Sequence, residues 1–124
     1  MIFGAHCLIY SPQPDVEAIR VWLRDVAGLP TENSMPDWPL YGLGAAELAV
    51  HPSEGEPRAE IYLVCDEIMA TVADLQSRGA ELSRPLADAP WGVVAWFRLP
   101  GGGELPVYEP RHKTALGLGP PAAQ

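Results

Sequence analysis

Cysteine is scarce in this 124-residue chain: Cys7 and Cys65 are the only two, each inside an apolar run. That count excludes a disulfide framework and a cysteine-built metal knuckle, and both read as buried free thiols. Basic residues are also few, eight Lys and Arg against 16 Asp and Glu. The resulting formal charge of −8 repels phosphate backbones, which argues against nucleic-acid binding and suits a cationic small ligand. No apolar run approaches the length of a membrane span, so no membrane partner is expected. Met1-Ile2-Phe3-Gly4 carries no basic leader, and the expected location is the cytosol. No Ser or Cys has the strand-elbow setting of a nucleophile, so no catalytic residue is assigned. Gly101-Gly102-Gly103 lacks the Gly-Lys-Ser/Thr of a phosphate loop and reads as a hairpin turn.

What is present is a core: 48% of residues are hydrophobic, enough for one folded domain over residues 1–112. Residues 3–10 read as a strand, Ser11-Pro12-Gln13-Pro14 as a turn, and Asp15 as the cap of a helix running to about Val26. Val16, Ile19, Trp22, Leu23 and Val26 give that helix one apolar face, with Gly28 as its stop. Short strands are expected at Trp38–Leu43 and Glu47–His51. After the Pro/Gly-bearing link Pro52–Arg58 the pattern restarts. Glu60–Cys65 is a strand, Asp66 a cap, and Ile68, Met69, Val72 and Leu75 a helical stripe ending at Gly79. Further strands fall at about Glu81–Arg84, Gly92–Arg98 and Glu104–Tyr108. The Gly/Pro/Ala tail, 113–124, is expected to fray.

Strand, helix and stop therefore occur twice, in repeat units of about 3–51 and 59–110. Each unit alone exposes an apolar sheet face, so the two must pack or share a sheet. Alternation assigns faces within the strands. Ala5, Cys7 and Ile9, Leu48 and Val50, and Ile61, Leu63 and Cys65 are apolar sets that should meet the helices. His6, Leu8 and Tyr10, Glu47, Ala49 and His51, and Glu60, Tyr62 and Val64 are the mixed sets and should line the ligand side.

Gly4-Ala5-His6, Glu47 to Pro52, Glu60 to Asp66, and Leu99-Pro100-Gly101-Gly102-Gly103 stand in the order and spacing of one family. Over residues 3–110 the chain resembles the vicinal oxygen chelate superfamily, which groups glyoxalase I, bleomycin resistance proteins and extradiol dioxygenases. The resemblance implies an α+β fold of two βαβββ units. These form a cupped eight-stranded mixed sheet, with helices outside, a small molecule inside, and a homodimer as the assembly. It also implies metal ligands at His6, His51 and Glu60. The family's final ligand, six residues after the hairpin proline, falls on Pro106, which has no donor atom. Glu109, three residues further, reaches the same face only across a bulge.

Two functions follow from that resemblance. The first is binding or sequestering a small, drug-like, cationic or planar ligand, as in antibiotic resistance. Tyr10, Trp38, Tyr62, Trp91, Trp96 and Tyr108 would form the aromatic walls. Trp38 and Trp91 stand in proline-bearing loops, whereas Trp22 reads as core. The alternative is a divalent-metal enzyme, a glyoxalase-type lyase or isomerase or an extradiol-type dioxygenase. Two imidazoles and a carboxylate from His6, His51 and Glu60 suit Fe, Zn, Ni or Mn with open positions for substrate. His112, between Arg111 and Lys113, is expected to be solvated.

Overall fold

The computed structural model describes residues 1–100 and 102–117. Its elements are β1 (Ile2–Ser11), α1 (Gln13–Val21), β2 (Thr31–Glu32), β3 (Leu40–Gly42), β4 (Ala46–Pro52), β5 (Arg58–Cys65), α2 (Ile68–Ser77), β6 (Ala87–Ala89), β7 (Gly92–Arg98) and β8 (Glu104–Pro110). This is the βαβββ order twice over. The strands form one eight-stranded sheet, ordered β2-β3-β4-β1-β5-β8-β7-β6. It is mixed: β5 and β8 pair parallel, while β7 and β8 pair antiparallel. The chain divides into two compact units, Met1–Ala5 with Ile61–His112, and His6–Glu60 with the chain from Lys113 on.

In the His6–Glu60 unit, α1 opens at Pro12 without a side-chain cap, and Asp15 lies within the first turn rather than capping it. There its carboxylate faces the positive end of the helix dipole. After Val21 the helix widens into a π turn, Trp22–Val26, closed by the Ala27 amide on the Trp22 carbonyl at 2.9 Å. The extra residue in that turn breaks the 3.6-residue period. Val16 and Leu23 stay buried, but Trp22, expected in the core, is 54% exposed, and Val26 is exposed as well. Gly28, at φ +72°, then ends the helix as expected, with the Leu29 amide reaching back to the Leu23 carbonyl. Val16, Leu23, Tyr41 and Val50 form the core, joined by Ile9, Ile19, Leu29 and Leu48. Ile9, Leu48 and Val50 thus face α1, as alternation requires.

In the Ile61–His112 unit the core is Cys65, Ile68, Val72, Val93, Ala95, Phe97 and Val107. Leu63 and Cys65 of β5, Val93, Ala95 and Phe97 of β7, and Val107 of β8 face α2, which leaves Tyr62, Trp96 and Tyr108 on the opposite face; Ile61, expected to meet a helix, is 57% exposed. Met69, expected in the helical stripe, is 70% exposed; Thr71 takes the buried position beside Val72. The strand expected at Glu81–Arg84 is reduced to a single bridge, Leu82↔Phe97. Pro85 has no amide to continue a ladder, and the three-residue strand forms beyond it at β6.

The fraying expected from Lys113 is not found in residues 113–117. Ala115 is fully buried, and the Gly117 amide bonds the Gly44 carbonyl at 2.7 Å. The rest of that tail, 118–124, and Gly101 of the glycine turn lie outside the described residues.

Candidate functional site

The sheet face away from α1 carries the polar residues of the His6–Glu60 unit. His6 is 8% exposed and Glu47 not at all. Their side chains share a buried hydrogen bond between His6 Nδ1 and a Glu47 carboxylate oxygen. The other Glu47 oxygen accepts the Ala115 amide at 2.6 Å. A buried carboxylate needs such partners, since unpaired it costs several kcal/mol. The two atoms share one proton, whose place between them a metal ion would take. Imidazole and carboxylate together are donors suited to a divalent transition metal. Glu47 was legible as a member of the mixed face of β4, but its pairing with His6 was not.

His51 lies four residues along β4 from Glu47, about 13 Å of strand. The structure places it against aromatic rings rather than carboxylates: Trp38 at 4.9 Å and Tyr10 at 6.1 Å between centroids. Burial, then the neighbouring His6 and Arg20, push its pKa down to about 4. The Arg58 guanidinium lies 4.1 Å over the Tyr10 ring. Glu60 is half-buried, and its side chain makes no hydrogen bond or ion pair among the described residues.

The Ile61–His112 unit brings four of the expected pocket residues together. Tyr62 contacts Trp96 and Tyr108 edge-on at 5.7 and 5.8 Å, and Trp91 contacts Tyr108 at 5.9 Å. Tyr108 is buried and Trp91 half exposed. Arg84, paired with Glu104, lies 4.1 Å over the Trp96 ring. His112 is not simply solvated: its ring stacks on Tyr108, and the Tyr108 hydroxyl is 3.1 Å from its Nε2.

Glu109 is removed from the metal set by two observations. The β7–β8 register runs without a bulge from Gly92↔Pro110 to Arg98↔Glu104. The Glu109 carboxylate, on the α2 side, accepts the Ile68 amide at 2.9 Å and so caps that helix. Pro106 lies on the opposite face, paired with Trp96 in the register.

No family model matches the chain, and no curated protein matches it by sequence. Solved structures do match. Methylmalonyl-CoA epimerase from Mycobacterium tuberculosis is 19% identical over 90% of each chain, with a TM-score of 0.59. A glyoxalase/bleomycin resistance protein/dioxygenase superfamily member from Vibrio splendidus 12B01 is 11% identical at a TM-score of 0.52, over 85% of this chain and 97% of that one. BphC, a halotolerant catechol dioxygenase, is 20% identical at 0.57; 97% of this chain aligns with 43% of that one, so the chain spans under half of that enzyme. The repeated βαβββ order and these likenesses define the class: the chain has the vicinal oxygen chelate fold that its sequence resembles.

Proposed function

We infer that this protein binds a small planar or cationic molecule on the face of its sheet that carries Tyr62, Trp96 and Tyr108. The observation that supports the reading most is the aromatic cluster of the Ile61–His112 unit, with Arg84 already stacked on one of its rings. A guanidinium resting on Trp96 supports the reading, since a planar cation is the kind of group such a ring attracts. Trp91 and Trp96 keep part of their surface open to solvent. The chain's charge of −8 raises the local concentration of cations. The reading includes sequestration, as in antibiotic resistance, and a homodimer, as the family resemblance implies, in the cytosolic setting expected from the sequence. Light scattering of the purified chain tests the dimer.

Quenching of tryptophan fluorescence by ethidium, a planar aromatic cation, tests the binding. Saturable quenching is expected, weakened about tenfold in Trp91→Ala or Trp96→Ala. No saturable response to ethidium, or an undiminished one in both variants, overturns it.

A second reading rests on the buried His6–Glu47 pair: a divalent-metal enzyme of the lyase, isomerase or dioxygenase type. His6 and Glu47 would hold the metal, and the metal would polarise neighbouring oxygens of a substrate. The extradiol and epimerase likenesses belong to other proteins and support this reading by fold alone. Metal analysis after incubation with Fe, Zn, Ni or Mn tests it. Stoichiometric metal that is lost in His6→Ala supports it. Which of the substitutions His51→Ala, Glu60→Gln and His112→Ala also releases the metal would identify the further donors.

A further inference from the structure

The α1 side of the His6–Glu60 unit has its own polar cavity, on the opposite sheet face from His6 and Glu47. It measures about 160 Å³, and its polar lining is Glu17, Arg20, Arg24, Thr31, Asn33 and Tyr41. Drug-sized ligands occupy pockets of roughly 300–1,000 Å³, so this space suits a group of a few heavy atoms. Two guanidinium groups line it against one carboxylate, and Asp25, paired with Arg24, brings the local balance to neutral in a chain whose total charge is −8.

Arg20 supplies the central observation. Its Nη2 donates to the Val50 carbonyl at 2.8 Å, which fixes the guanidinium against β4. Its Nε is the one buried side-chain nitrogen or oxygen without a hydrogen-bond partner among the described residues. Native structures seldom bury a donor unpaired, and such a group calls for a missing acceptor. Arg24 is forked on Asp25, its sequence neighbour, but that pair is more than half exposed and exchanges at little cost. Both arginines act electrostatically on the buried Tyr41 phenol, as does Glu17, so the four side chains are close. The π turn that carries Arg24 is a type of irregularity that recurs at functional sites.

We propose that this cavity is a binding site for a small oxyanion, a phosphate or carboxylate group, held by the guanidinium groups of Arg20 and Arg24 that line it. Thr31, Asn33 and Tyr41 add neutral donors. Glu17 opposes a bare dianion and accepts a hydrogen bond from a hydroxyl or amine beside the anion. The site thus selects a hydroxylated or aminated carboxylate or phosphate, and it is independent of the aromatic face.

The test is nitrogen-15 NMR of the arginine Nε–H signals in the full chain, titrated with inorganic phosphate, with acetate, and with chloride at matched ionic strength. A saturable shift of the Arg20 signal with phosphate or acetate, absent with chloride, is expected, and the stronger of the two names the preferred anion. Arg24→Gln, at an exposed position, should fold normally and weaken binding about tenfold. Asn33→Ala should weaken it less, and Glu17→Gln should strengthen it. Linear shifts, shifts that chloride reproduces, or binding unchanged in Arg24→Gln overturn the proposal.

Discussion

His6 and Glu47, 41 residues apart in the chain, meet in a buried hydrogen bond that carries a carboxylate into the interior of its unit. The Ala115 amide holds the second oxygen, so the segment after Lys113 is a structural part of this site. Truncating Glu47 to Ala removes the acceptors of His6 Nδ1 and of the Ala115 amide. A loss of about 3–5 kcal/mol is expected from urea unfolding. Glu47→Gln keeps a carbonyl for one donor and should cost less, roughly 1–3 kcal/mol. Equal stability of Glu47→Ala and the native chain would contradict the pairing.

His51 sets a pH dependence. Its pKa falls from an ordinary 6.5 to about 4 because burial disfavours the charged ring. Between these values the unfolded chain binds the proton and the folded chain does not, so stability is full above about pH 6.5 and declines as pH falls toward 4. The ring is partly exposed, so the decline is a fraction of the roughly 1.4 kcal/mol per pH unit that a fully buried group would give. Carboxylates such as Asp66 and Glu104, whose pKa values are held down by the terminal amine and by Arg84, lose their contribution at still lower pH. Urea midpoints measured from pH 4 to 7 should flatten in His51→Gln relative to the native chain; parallel curves would remove His51 as the cause.

The fold was largely legible because it depends on local pattern. The limits of β7, Gly92–Arg98, follow directly from the strand pattern, and alternation placed Leu48, Val50, Leu63 and Cys65 toward the helices. Trp22 escaped because a π turn leaves no trace in apolar spacing. The site was less legible because its pairings are tertiary. Nothing local says that Glu47 meets His6, or that an alanine in a Gly/Pro/Ala-rich tail is buried against the same carboxylate. Glu109 is the clearest case. Its offset from Pro100 showed that it needed a bulge, but only the unbroken register and the bond to Ile68 show that it serves α2 instead.

Gly92 tolerates no side chain. A Cβ there would stand 2.6 Å from the Glu109 carbonyl oxygen and 3.0 Å from a Tyr108 ring carbon. The first is backbone and cannot swing away, so the β7–β8 ladder must open at its end. Gly92→Ala should therefore lose about 1–3 kcal/mol in urea unfolding. It should also shift Tyr108 and weaken any ligand that rests on the aromatic face. A variant as stable as the native chain would contradict the close approach.

Tyr108 and Trp91 should separate stability from binding. Tyr108 is 1% exposed and touches Tyr62, Trp91 and His112, whereas Trp91 is 50% exposed at the edge of the same cluster. Tyr108→Ala removes a central buried ring, and a cost of about 3–5 kcal/mol is expected, as for other large aromatic truncations. Tyr108→Phe keeps the ring and loses the hydroxyl with its contact to His112, roughly 0.5–1.5 kcal/mol. Trp91→Ala should change stability by less than about 1 kcal/mol. Its effect should fall on ethidium quenching instead, because an exposed ring edge contributes contact area to a ligand rather than to the core. Thermal unfolding and fluorescence titration of the three variants check this together. A Trp91→Ala protein that is strongly destabilised but binds ethidium as the native chain does would place Trp91 in the core and remove it from the binding face.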